Sequence, residues 1–237
     1  MNIKQVIEQL QKRSLGKYRL RPYVSDYLTR CLTFQKGATL ITSWCLSKSL
    51  EVRLGLQGKF TPLPKEYKVL KDLNLCNELL SELGLQVSHF IFLVGSGVER
   101  GQVTAEVRGQ YQDMLQELVD FFGFDILVDT RAVASPDLGI LNKPEQLYHI
   151  DAYHKEIERR ISLAKQRNQK ITKTQAVDDA ILSIAVKAGD AMELTRDFGD
   201  FLLIPIQFLE RYQFHNLGYP NFTDRLLPIT QFYPWRL

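Results

Sequence analysis

Ser47, Lys48, Ser49, Glu51 and Arg53 stand close together just after an apolar run, in the segment GATLITSWCLSKSLEVR from Gly37 to Arg53. Ammonium, guanidinium and hydroxyl groups make strong hydrogen bonds to anionic oxygens, so Lys48, Arg53, Ser47 and Ser49 suit a phosphate or a carboxylate. Glu51 adds a candidate general base. A second group is Gly95-Ser96-Gly97-Val98-Glu99-Arg100-Gly101. Its small residues let backbone N–H groups approach an anion near a helix start. Arg100 supplies another cation there, and Glu99 another candidate base. For each group the competing reading is a solvated turn, because charge at strand ends is commonplace.

Other chemistry has less to stand on. The glycine spacing is GxGxxxG rather than GxGxxG, and no GxxxxGK[ST] occurs, so no nucleotide fingerprint is present and no cofactor is expected. No GxSxG elbow anchors a serine hydrolase. His149 and His154 are five apart and do not share a helix face, so a zinc site of the HExxH kind fails. Asp178-Asp179 reads as a solvated helix edge, and no metal is expected. His89 sits within an apolar run and reads as a hydrogen-bonded core residue. Cys31, Cys45 and Cys76 are odd in number without CxxC spacing, which points to buried thiols rather than a disulfide framework. The segment 155–173 carries Lys155, Arg159, Arg160, Lys165, Arg167, Lys170 and Lys173 against Glu156 and Glu158. That excess can meet RNA phosphates, or it is a solvated helix face.

The elements that must position these residues follow from periodicity. Apolar spacing predicts helices over 2–14, around 22–32, over 65–83 and over 104–122, with Gly84 and Gly123 as stops. Continuous apolar runs predict buried strands at 38–46, 87–94 and 124–128, and the alternation of strand and helix is that of a parallel sheet with crossover helices. In such a sheet ligands lie at the carboxyl ends of strands, where the two groups fall after adjacent strands. Leu54 to Pro64 reads as a loop. Pro144 opens a helix that runs toward Lys173, Thr172 and Gln175 have capping-box spacing before another helix, and 201–206 is a last strand candidate.

With 237 residues, 45% hydrophobic, the chain can bury one substantial core. A single α/β domain is expected over 1–237, with an N-terminal helical segment at 1–36, an α/β core at 37–206 and an irregular tail at 207–237. The net charge of +3 does not by itself call for nucleic acid. No apolar run reaches the roughly 20 residues of a bilayer span, and residues 1–21 lack the apolar region of a secretory signal. A cytoplasmic location without membrane contact is the expectation, and no oligomeric state follows.

Taken in order, Lys48-Ser49 at a strand end, Pro64 and Glu66 opening a helix, Ser96-Gly97 after a strand, Tyr111 and Leu115 on a helix, and Pro234-Trp235 near the end together resemble the isocyanide synthase family, the enzymes related to fungal dityrosine-pathway and bacterial isonitrile biosynthesis. The chain departs from the family pattern where Ser96 is followed directly by Gly97 without an aspartate, and where Arg236 follows Trp235 in place of a histidine. Members condense an amino acid with a sugar phosphate to make an isonitrile, so the resemblance implies a site with an anion-binding end and an amino acid end.

The expectation is therefore an α/β protein with a mostly parallel, Rossmann-like sheet and a helical C-terminal half, acting as a small-molecule biosynthetic enzyme on a small anionic metabolite. Lys48, Glu99 and Glu51 are its candidate catalytic groups. Ser47, Ser49, Arg53, Gly95, Ser96, Gly97 and Arg100 are its candidate binding groups. The alternative is an RNA-dependent transferase or RNA-binding protein using 155–173.

Overall fold

The computed structural model describes residues 1–13, 22–44, 50, 53–54, 58–62, 64–93, 103–131, 135–149, 151–166 and 168–204. Helices α1 (Ile3–Arg13) and α2 (Pro22–Thr33) precede strand β1 (Ala38–Trp44). Then come α3 (Pro64–Ser81), β2 (Val87–Leu93), α4 (Ala105–Phe122) and β3 (Leu127–Val128). The chain goes on through α5 (Leu138–Asn142), a 3-10 turn at Pro144–Leu147, α6 (Asp151–Gln166) and α7 (Lys173–Phe198) to β4 (Leu202–Leu203). The strands form one sheet in the order β3-β2-β1-β4, and every pair is parallel. The architecture is the expected α/β one, with crossover helices and a helical C-terminal half.

A parallel sheet is stable only when both faces are covered. One face carries Leu40, Thr42 and Trp44 from β1 opposite His89, Ile91 and Leu93 from β2. Helices α3 and α4 cover it, through Asn77 against His89 and Tyr111 against Trp44. On the other face Phe90 meets Phe198, at the end of α7, with ring centroids 4.7 Å apart. There the Arg131 guanidinium lies over the rings of Phe92 and Phe198 at 5.7 and 4.8 Å. It is fixed by Asp129 and Asp197, each at 2.8 Å.

The helix ends follow their sequence signals. Thr104 accepts the Val107 N–H at the start of α4, and Gly123 closes it in the left-handed region at φ 62°. The capping box of Thr172 and Gln175 is complete at the start of α7.

Register between the central strands is fixed by a buried polar chain. Asn77 Nδ2 donates to the Asp125 carbonyl at 2.7 Å, which leaves Asn77 Oδ1 as acceptor for His89 Nδ1 at 2.7 Å. His89 Nε2 then accepts from the Thr42 hydroxyl at 2.8 Å. His89 is thus the hydrogen-bonded core residue that its apolar run suggests. Burial lowers its pKa to about 3, so the ring is neutral.

Three expectations need correction. The third strand does not run over 124–128: only Leu127 and Val128 pair with β2. The Asn74 side chain takes the Asp125 N–H and Asn77 takes its carbonyl, so helix α3 holds the backbone that a longer ladder would use. Nor is there one helix from Pro144 toward Lys173. The chain turns at Tyr148, whose carbonyl bonds to the His154 ring, and α6 stops before Asn168 in the left-handed region at φ 53°. In the last candidate, 201–206, Leu202 and Leu203 pair with β1 and Phe201 and Ile204 stand outside the strand, while 205 and 206 lie outside the described residues. Helix α5 escapes periodicity because it is one short turn, although Asp137 caps it by accepting the Gly139 and Ile140 N–H groups.

Buried apolar residues form two clusters. The first surrounds the sheet and includes Leu40, Trp44, Leu73, Ile91, Tyr111 and Leu115. The second lies among α5, α6 and α7, with Ile140, Tyr153, Ile157, Ala180 and Ile184. Cys31 and Cys76 are both buried. Among the described residues no helix is long and apolar enough to cross a membrane. Gly189 of α7 lies against the Ser135 carbonyl so closely that a Cβ would overlap that oxygen.

Gly189→Ala must therefore displace backbone, and a loss of about 1–3 kcal/mol in urea unfolding is expected. An unchanged midpoint would refute the close approach. For His89, an unfolded chain binds a proton below about pH 6.5 that the native state binds only near 3. Stability from this group is complete above the unfolded value and declines as pH falls between the two, at up to ~1.4 kcal/mol per unit. Between pH 7 and 5 the wild type should lose about 2 kcal/mol more than His89→Gln; equal losses in paired urea titrations would contradict a neutral buried ring.

Candidate functional site

The order β3-β2-β1-β4 places the reversal of strand order between β1 and β4. Open sheets of this kind bind ligands outside the carboxyl ends of strands at that point. At the carboxyl end of β1 stands Trp44, which is wholly buried and donates its indole Nε1–H to the Tyr111 hydroxyl at 3.2 Å. Tyr111, on α4, in turn donates to Glu66 Oε1 at 2.9 Å. Glu66 lies in the first turn of α3 with no exposure to water. Its position near a helix start is favourable for a negative charge.

Arg53 completes the arrangement. It sits on a helical turn in which the Leu54 N–H bonds to the Leu50 carbonyl. Its guanidinium grips Glu66 with two nitrogens, Nη1 to Oε1 at 2.7 Å and Nη2 to Oε2 at 3.4 Å, and Nη2 also donates to the Thr61 carbonyl at 3.1 Å. The same group lies 5.9 Å from the ring centroids of both Phe60 and Tyr111, which meet edge to face at 5.4 Å. Three of five guanidinium hydrogens are thereby used, while Nε–H and one Nη1 hydrogen have no partner among the described residues. The Arg53 side chain is 23% exposed, whereas that of Glu66 is 1% exposed.

Burial and then the Glu66 charge push the Tyr111 hydroxyl well above its ordinary pKa. It therefore remains a protonated donor at any physiological pH. The assembly consists of a cation held by a buried carboxylate, with two guanidinium hydrogens that no described residue accepts.

A second tie lies at the ends of the other strands. Buried Arg108, on α4, donates through Nη2 to the Leu93 carbonyl at 3.3 Å and to the Arg131 carbonyl at 3.0 Å. It joins the end of β2 to the segment after β3. Burial lowers its pKa, and the Asp190, Asp129 and Glu193 charges oppose that shift.

Of the candidate site residues Arg53 is described, and it meets Glu66 and Tyr111, which belong to two pieces of the family resemblance. Ser47, Lys48, Ser49, Glu51, Gly95, Ser96, Gly97, Glu99 and Arg100 lie outside the described residues, as do Cys45, Pro234 and Trp235. Their flanks are placed: β1 and β2 run side by side in parallel, so both groups leave from the same edge of the sheet. Trp44, Phe60 and Arg108 escape sequence reading, Trp44 because it ends an apolar run and Arg108 because nothing marks it as buried. In the basic segment, Arg159 and Arg160 both turn to the buried Glu156, with nitrogen–oxygen distances of 2.6 and 2.7 Å. Lys155, Lys165, Lys170 and Lys173 are exposed.

No family model matches the sequence, and no curated protein matches it. Among solved structures the PvcA protein of Pseudomonas aeruginosa has a similar fold, with a TM-score of 0.58 and 16% identity over 97% of this chain and 87% of that one. A cyclodipeptide synthase from Candidatus Glomeribacter gigasporarum, solved bound to Phe-tRNAPhe, aligns with a TM-score of 0.43 and 12% identity over 84% of this chain and 86% of that one. A tryptophanyl-tRNA synthetase homolog from Entamoeba histolytica aligns at 0.39 and 14%, over 94% and 56%. The first shows a shared fold. The other two are too distant in structure to support an argument.

Because Glu66 is fully buried and Arg53 partly exposed, the two halves of the pair are not equivalent. Arg53→Met strands a carboxylate away from water and should cost about 3–5 kcal/mol. Glu66→Gln leaves a guanidinium that can reach solvent and should cost less, ~1–3 kcal/mol. Urea unfolding that ranked the two the other way would show that the carboxylate is not the constrained partner.

Proposed function

We propose that this chain is a small-molecule biosynthetic enzyme that binds a phosphate- or carboxylate-bearing substrate at the carboxyl ends of its parallel strands. The observation that carries the reading is the Arg53 guanidinium, set by the buried Glu66 carboxylate and still holding two donors without a described partner. A cation arranged in this way is already oriented before an anion arrives, which lowers the entropy lost on binding. Lys48 and Arg100 add charge, while Ser47, Ser49 and the backbone of Gly95, Ser96 and Gly97 add hydrogen bonds.

The reaction class we favour is an isocyanide-synthase-like condensation of an amino acid with a sugar phosphate. Two observations support it. Glu66 and Tyr111, taken from separate pieces of the family resemblance, are hydrogen-bonded in the structure, and the fold is shared with PvcA across nearly the whole chain. Glu99 or Glu51 would be the general base that frees the amino nitrogen for attack. Lys48 and Arg53 would hold the phosphate. The RNA-dependent alternative has less charge to draw on, since Arg159 and Arg160 are bound to Glu156.

The test is unbiased metabolite retention: the purified protein is denatured and what it released is read by mass spectrometry. A retained sugar phosphate or amino acid is expected, lost in Lys48→Ala with the thermal transition nearly unchanged. Turnover should vanish in the same variant. Retained RNA, or retention and activity that survive Lys48→Ala, would overturn the assignment.

A further inference from the structure

The carboxyl end of α4 shows solvent an aromatic surface. Phe121 is 81% exposed and Phe122 41%. Phe121 stands edge-on to Phe122 at 4.9 Å, and Phe122 packs on Tyr67 at 4.5 Å and on Phe124 at 5.6 Å. Single exposed apolar residues are ordinary, but adjoining exposed rings on one surface mark an interaction site.

Along α4 itself the exposed charge has one sign, while on the Tyr67 side of the rings α3 exposes Lys68 and Lys71. Every exposed charged residue of α4 is acidic, and the helix's lone basic residue, Arg108, is buried. Asp113, Glu117 and Phe121 are four apart and share one stripe of the helix. Asp113 and Glu117 pair with no described basic side chain. Ring faces edged by carboxylates attract ammonium and guanidinium groups twice over, by cation–π attraction and by charge-assisted hydrogen bonds.

The chain carries such a partner surface itself. Lys165, Lys170 and Lys173 are exposed at the turn from α6 to α7, and the sequence from Glu158 to Asp178 holds no acidic residue in between. We propose that the acidic aromatic face of one copy docks on the α6–α7 turn of a second copy, in a head-to-tail contact. A symmetric pairing of two aromatic faces would bring like charges together, which disfavours it. The head-to-tail contact joins unlike surfaces, so each copy keeps one face of each kind for further growth.

Sedimentation velocity on the full chain tests this. At low salt the sedimentation coefficient should rise with protein concentration, and at high salt it should return to the monomer value as the charges are screened. Two variants separate the faces: Asp113→Asn/Glu117→Gln/Phe121→Ala removes one, and Lys165→Gln/Lys170→Gln/Lys173→Gln removes the other. All six positions are exposed, and circular dichroism checks that both variants fold. Each alone should stay monomeric, and an equimolar mixture should give a species of twice the mass and no larger. A wild type that is monomeric throughout, association that strengthens with salt, or a mixture that stays monomeric would overturn the proposal. So would association of either variant alone.

Discussion

A carboxylate that water cannot reach has to be satisfied by the protein, and Glu66 is such a group. Removing an ion from water costs several kcal/mol after relaxation, and only partners in good geometry offset that. Arg53 and Tyr111 are among those partners, and Trp44 holds Tyr111 in turn. The end of β1, the turn at Arg53, the head of α3 and the middle of α4 are therefore bound to one charge. None of the four can shift without leaving a buried polar group unmet. The same arrangement orients Arg53, the one cation of the candidate site that is described.

Elsewhere the sheet is held by polar contacts that cross between layers. The chain from Thr42 through His89 and Asn77 to Asp125 runs from β1 through β2 and α3 to the segment before β3. Arg131 does the corresponding work on the opposite face, where it joins the end of the sheet to α7 through Asp129, Asp197 and two rings. Buried polar groups that are fully satisfied specify one register, because a slip by one residue turns every side chain to the other face.

Much of this was legible from the sequence. The runs at 38–46 and 87–94 are continuous and apolar, and their described parts, Ala38–Trp44 and Val87–Leu93, form the two central strands. Helices α3, α4 and α7 have apolar spacing over many turns and end or begin at Gly84, Gly123 and Thr172. What sequence periodicity missed depends on contacts between distant residues. The shortening of β3 comes from Asn74 and Asn77, about fifty residues before the backbone they capture. Arg53 stands out in the sequence, but its partner lies across a proline-bearing loop, where spacing says nothing of contact. The basic segment reads as a stripe of charge until Glu156 is noticed three and four residues before Arg159 and Arg160, the spacing at which helical side chains meet.

Helix α7 belongs to both apolar clusters' surroundings: Ala176, Ala180 and Ile184 lie in the helical cluster, while Phe198 rests on the sheet. Its 26 residues make a rod of about 39 Å. Both ends are fastened, the first by its capping box and the last by Arg131 and the rings. A rod fastened in this way carries a displacement along its length instead of absorbing it. The lysine-rich turn at its head and Asp197, which is paired with Arg131, therefore lie at opposite ends of one continuous helix.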